Sequence, residues 1–182
     1  IIVIQIMIKF CAKKLQINLI FLSSQERILS MRLSWHEYGC MMALAASSRS
    51  EDPHTKVGAC ILNKEGRIIS TGYNGLKKGF PVKEWMKKEE NRPKKREIMI
   101  HAETNALSLI RKGEGESICL TVSPCFACAK DIVSHEIQRV FYIKQYDQCD
   151  KFKEIFDYYK IFYKELNPES ILKIKENLKL WI

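Results

Sequence analysis

The chain has 182 residues, of which 46% are hydrophobic and 28% charged, and its formal net charge at pH 7 is +9. This is the size and composition of one globular domain; it excludes a disordered or collagen-like polymer, and no run approaches the ~18 consecutive apolar residues that a membrane-spanning helix needs. Seven cysteines are an odd number and too few for a disulfide-dense scaffold of this length, so they point to a reducing, cytoplasmic setting and to a metal.

The basicity is local. Residues 1–30 carry four cations against one anion and residues 77–96 carry nine against three, which accounts for the whole excess. A chain-wide nucleic-acid signature would not be confined in this way. Residues 1–30 read as an apolar and basic leader outside the core domain, which is expected to occupy residues 31–182. The apolar run 1–8 precedes the first lysines, the reverse of a secretory signal, and the run 17–22 is too short to cross a membrane.

From residue 31 the pattern becomes regular. Ser34 is placed to cap a helix over 35–48, which the polar cluster 47–53 ends. Two β-rich runs, 57–62 and 67–73, separated by Asn63, Lys64, Glu65 and Gly66, read as a hairpin. Asn74 and Gly75 close the second strand, and the lysine-rich segment up to Arg96 reads as a solvated loop with one or two helical turns. Residues 101–111 put Ala102, Ala106, Leu109 and Ile110 at helical spacing before a Lys112-Gly113 stop. A strand over 118–122, a helix over 125–134, a strand over 139–143, a helix over 151–159 and a strand over 161–166 follow. Asn167, Pro168 and Glu169 then open a last helix with Ile171, Leu172, Ile174 and Leu178 as its apolar stripe. Such alternation predicts an α/β fold of three layers, with a central mixed sheet of about five strands and helices on both faces.

The chemistry is concentrated in His101-Ala102-Glu103 and, after twenty intervening residues, Pro124-Cys125-Phe126-Ala127-Cys128. One imidazole and two thiolates suit Zn2+, and three protein ligands leave the fourth tetrahedral position open, as catalytic zinc requires. Cysteines three apart at the start of a helix face the same way, and the positive end of the helix favours their thiolate forms. Glu103 is a proton carrier beside the metal without being a ligand. Zinc lowers the pKa of its water to about 7, and the carboxylate then moves the proton to the substrate. Taken alone, an H-x-E triplet is common in helices and a CxxC pair divides between structural zinc, redox chemistry and accident. Both together, each opening a helix, are far more specific. Cys40, Cys60 and Cys119 lie in apolar patterns and read as buried thiols, while His36 and His135 read as ordinary surface or helix residues.

The H-x-E and P-C-x-x-C pair resembles that of the zinc nucleobase deaminases. Trp35-His36-Glu37-Tyr38, Arg49-Ser50-Glu51-Asp52-Pro53, Lys56-Val57-Gly58-Ala59-Cys60-Ile61, Thr71-Gly72-Tyr73-Asn74-Gly75, Asn105-Ala106 and Cys128-Ala129-Lys130 extend the likeness over roughly 110 residues. With these motifs the chain resembles the cytidine deaminase superfamily and, within it, the deoxycytidylate (dCMP) deaminases. The resemblance implies zinc on His101, Cys125 and Cys128, Glu103 as proton shuttle, Asn74 on the sugar, the Ala102 backbone N–H on the pyrimidine carbonyl, and Val57 and Arg49 on the substrate. It implies hydrolysis of dCMP to dUMP and ammonia, for dTMP synthesis, by a homo-oligomer of up to six subunits, with dCTP and dTTP as effectors and neither membrane nor nucleic acid as partner. The chain departs from the family pattern at His54, where asparagine is frequent, at Ser123, where phenylalanine is common, and in residues 77–96, which differ from the effector-binding and zinc-containing insertions of some members.

Two other readings stay open at this point. A deaminase acting on polynucleotide, either tRNA adenosine or single-stranded cytidine, would use the basic segment against a phosphate backbone. A non-catalytic zinc module would explain the three ligands but leave Glu103 idle.

Overall fold

The computed structural model describes residues 32–81, 83–146 and 150–179. The leader, together with Cys11 and Cys149, lies outside the described residues.

Helix α1 (Trp35–Ser47) starts where expected, and its start is a reciprocal cap: the Glu37 N–H donates to the Ser34 hydroxyl while the Ser34 N–H donates to the Glu37 carboxylate. Strands β1 (Gly58–Leu62) and β2 (Ile68–Tyr73) pair antiparallel across a tight turn in which Gly66 takes a positive φ of 76°. After β2, two short 3₁₀ turns (Glu84–Lys87 and Glu89–Asn91) lead into helix α2 (Arg92–Ile98). Helix α3 (Ala102–Leu107) precedes strand β3 (Ser117–Val122), helix α4 (Phe126–Ser134) and strand β4 (Arg139–Lys144). Helix α5 (Lys151–Tyr158), strand β5 (Phe162–Glu165) and helix α6 (Pro168–Lys179) complete the described chain.

The five strands form one sheet in the order β2-β1-β3-β4-β5. β1 is antiparallel to both of its neighbours, whereas β3, β4 and β5 run parallel through the crossover helices α4 and α5. The sheet is mixed and has helices on both faces, as the alternation of elements predicts. Because successive strand residues point to opposite faces, Ala59, Ile61, Ile118, Leu120, Val140 and Tyr142 meet α3, α4 and α5 in one core. Cys60, Leu62, Cys119 and Phe141 meet α1 and α6 in the other.

Three expectations need correction. The helix after His101 stops at Leu107 and does not reach residue 111; the chain tightens into i−3 turns at Leu109 and Ile110, and Leu109 is 71% exposed. In α6 the buried seam is narrower than four residues: Ile174 is buried with Ile171 beside it, whereas Leu172 and Leu178 face solvent. The rest of its docking is polar, through the Ser170 hydroxyl and the Lys173 ammonium to Glu37. The lysine-rich segment, finally, is not solvated throughout, because Lys95 on α2 is 2% exposed.

Candidate active site

His101 and Cys125 occupy the residue immediately before α3 and α4 respectively, both with extended backbone, so the two chemical motifs meet as two adjacent helix N-termini. The Cys128 N–H donates to Cys125 Sγ at 3.5 Å, which folds the CxxC pair into the first turn of α4. His101 Nδ1 stands 3.2 Å from Cys128 Sγ and 3.6 Å from Cys125 Sγ, and the three ligand atoms all lie within 4.8 Å of one another. Tetrahedral zinc with ordinary Zn–N and Zn–S bonds would separate nitrogen from sulfur by about 3.6 Å. The donor set therefore fits that metal in spacing as well as in softness.

The electrostatics agree. Hydrogen bonds from Cys128 and His101 outweigh burial and bring the Cys125 thiol down to about 4, and the same bond to Cys125 raises His101. Cys128 is held up by its bond to the already ionised Cys125, with burial and Glu103 adding to it. One thiol ionises readily and the second resists beside it, an imbalance that a divalent cation relieves.

Glu103 is 4% exposed in the first turn of α3, and burial pushes its carboxyl up to about 7 against the hydrogen bond from its own N–H and the charge of His101. A carboxyl poised there can both accept and return a proton near neutrality. Its helix lies close on β2: the Ser70 hydroxyl donates to the Ala106 carbonyl, the Asn105 side chain donates to the Tyr73 carbonyl, and a methyl at Gly72 would collide with the Ala102 carbonyl.

A cavity of about 300 Å³ opens onto this group, lined by His101, Ala102, Glu103, Cys125, Asn74 and Val57 among others. Of the eight residues singled out from the sequence, these six line it; Cys128 is buried against His101, and Arg49 is exposed and holds its guanidinium over the Tyr73 ring at 5.9 Å. Asn74 is 8% exposed, with its Oδ1 accepting the Val57 N–H at 2.8 Å and its Nδ2 donating to the Thr55 carbonyl at 2.8 Å. Sequence reasoning missed Thr55, Arg92, Lys95, Arg96, Met99 and Tyr146, all of which line the same cavity. A signal for four of them was present. Arg92, Lys95, Arg96 and Met99 recur at i, i+3, i+4 and i+7, the spacing of one helix face, but that face is cationic and apolar periodicity does not reveal it.

A mixed sheet carrying an imidazole, two thiols and a buried carboxyl at paired helix N-termini over a mononucleotide-sized cavity defines a zinc-dependent hydrolase of the nucleobase-deaminase class. The family described as the cytidine and deoxycytidylate deaminase zinc-binding region matches residues 33–144. The chain belongs to this family. It is 35% identical over 125 residues to a human deoxycytidylate deaminase, covering 65% of this chain and 70% of the relative. With the deoxycytidylate deaminase of Pongo abelii it shares 30% over 146 residues, covering 75% and 82%. Among solved structures, the dCMP deaminase of cyanophage S-TIM5 in apo form superposes with a TM-score of 0.55 at 26% identity, covering 72% of this chain and 96% of that one.

Proposed function

We propose that the chain hydrolyses the exocyclic amine of dCMP, giving dUMP and ammonia. The observation that carries this reading is the buried Glu103 carboxyl beside the His101, Cys125 and Cys128 donor set, in a chain 35% and 30% identical to the human and Pongo abelii deoxycytidylate deaminases. Zinc, when bound by those three side chains, lowers the pKa of water to about 7 and supplies hydroxide as the nucleophile for C4 of the pyrimidine.

The other steps belong to this chain's own residues. Glu103 takes the first proton from the attacking water and passes it to N3 of the ring; it then takes the second from the new hydroxyl at C4 and delivers it to the departing amine, so that the carbonyl forms as ammonia leaves. The Ala102 N–H is among the first in α3, where no helical carbonyl is available to it, and it donates to the pyrimidine carbonyl. Asn74 has committed both hydrogens of its amide and one lone pair of Oδ1. What it has left is an acceptor, which takes a hydrogen bond from a sugar hydroxyl. Val57 packs against the substrate, and Arg92 and Arg96 supply positive charge to the same cavity for the single phosphate. A homo-oligomer, a cytoplasmic setting and a leader separable from the domain belong to the same reading.

Turnover of dCMP, dCTP, cytidine and a single-stranded oligonucleotide, followed side by side by loss of cytosine absorbance on zinc-loaded protein, tests it. The expected order is dCMP first. Turnover of the oligonucleotide with none of dCMP would overturn the substrate and leave the metal chemistry standing.

A further inference from the structure

The cation that stands apart in the basic segment is Lys95. Its side chain is 3% exposed and its ammonium lies 2.6 Å from Asp52 Oδ1, a carboxylate whose side chain is itself 9% exposed. Asp52 also accepts the N–H groups of His54 at 2.8 Å and Thr55 at 3.2 Å, and its second oxygen faces Asn74 Nδ2 at 3.4 Å. Burial alone would raise the Asp52 carboxyl, but the Lys95 bond and the two N–H groups outweigh it and hold it below the usual carboxylate range. The backbone of the same residue is tied back to the Asn74 backbone by a second route, since the Asp52 N–H donates to the Ser50 hydroxyl, which donates to the Asn74 carbonyl at 2.8 Å.

We infer that Lys95 and Asp52 are positioning residues for the sugar contact: the buried ion pair shapes the loop 52–57 and fixes the Asn74 amide that it surrounds. The inference rests on the proposed role of Asn74. The geometry explains why a charge pair is buried in the wall of the cavity. An unpaired Asp52 would have to find other partners, and its nearest are the His54 and Thr55 N–H groups, in the loop whose Thr55 carbonyl and Val57 N–H orient Asn74, and the Asn74 amide itself. Lys95 comes from α2, near the end of the basic segment, while Asp52 precedes β1, so the pair also closes the wall between elements far apart in sequence.

A double-mutant cycle on the zinc-loaded full chain tests this, using Lys95→Met, Asn74→Ala and the two combined. Lys95→Met is expected to raise KM for dCMP about three- to tenfold, the worth of one misdirected hydrogen bond, with kcat and zinc content close to wild type. The combined variant should have a KM no higher than the worse single one, because both changes remove the same contact. Multiplying effects would place Lys95 directly on the nucleotide and overturn the inference, as would an unchanged KM. Should Lys95→Met not fold, Asp52→Asn with Lys95→Met removes both charges while keeping shape; it should fold and show the same raised KM, and a wild-type KM there would refute the role. Amide hydrogen exchange of the ligand-free protein provides a readout independent of substrate: Lys95→Met should speed exchange of the His54, Thr55 and Val57 amides about tenfold or more, and unchanged rates would refute the brace. A wild-type protein inactive on dCMP would instead bring down the proposed function, and the exchange rates would still decide the inference.

Discussion

Two groups of cysteines lie on opposite sides of the same sheet and have opposite chemistry. Cys125 and Cys128 sit at the N-terminus of α4 against His101, and the first of them is drawn down to about 4 by its hydrogen bonds. Cys40, Cys60 and Cys119 are fully buried between α1 and the sheet, where desolvation pushes Cys60 up to about 12 and the neighbouring Cys40 helps to raise Cys119. The residue type is the same and the distance along β3 from Cys119 to the metal-binding loop is short. Ionisation is therefore decided by what surrounds the sulfur: for Cys125 the Cys128 thiol, an imidazole and a helix-end N–H, for Cys60 burial among apolar side chains.

The largest effect expected from disturbing this contrast is at the metal side. Cys125→Ala and Cys128→Ala should each lose zinc, measured by metal analysis of the purified protein, along with all detectable turnover; retention of one zinc per chain in both would refute the ligand set. Metal binding and folding are coupled, so their thermal midpoints should fall too. Glu103→Gln leaves the donors untouched and keeps the side chain's shape. Its zinc and fold should persist while turnover drops by at least ~10²-fold, and near-normal turnover would remove Glu103 from proton transfer.

On the other face the effects are smaller and purely on stability. Cys60→Ser places a hydroxyl among apolar groups and should cost about 1–3 kcal/mol in chemical denaturation, whereas Cys60→Ala should cost about 1 kcal/mol. Neither should change zinc content or KM, and a loss of zinc in either would break the division between the two groups. Smallest of all, an alkylating reagent applied to the folded, zinc-loaded protein should leave Cys40, Cys60 and Cys119 unmodified by mass spectrometry. Labelling of Cys60 at neutral pH would contradict both its burial and its raised pKa.

What could be read from the sequence divides along a similar line. The metal donors and Glu103 were legible because ligand chemistry demands particular side chains at fixed spacing, and the strands and α1 because β-rich runs and a capping Ser34 are local signals. Lys95 was not legible: nothing local separates it from Lys87 or Lys94 in the same run, and its burial depends on Asp52, forty-three residues away in sequence. Leu109 misled for the converse reason. Its spacing suited a longer helix, but the chain has turned by residue 108, where the Ser108 hydroxyl donates to the Asn105 carbonyl. Arg49, carried in by a motif, is engaged with Tyr73 instead of the cavity.

Helix α3 holds Glu103 and yet has only six residues, well short of the length at which a helix is stable by itself in water. Its placement comes from the sheet. With a hydrogen atom in place of a side chain at Gly72, the backbone of α3 rests directly on the backbone of β2, and the bonds from Ser70 and Asn105 pin it there. Backbone-on-backbone contact has no rotamers through which to yield, so the Glu103 carboxyl inherits the stiffness of the strand below it. The same contact makes position 72 a gauge for the depth of the site: the spacing between strand and helix, and with it the height of Glu103 in the cavity, is set by the absence of one carbon atom.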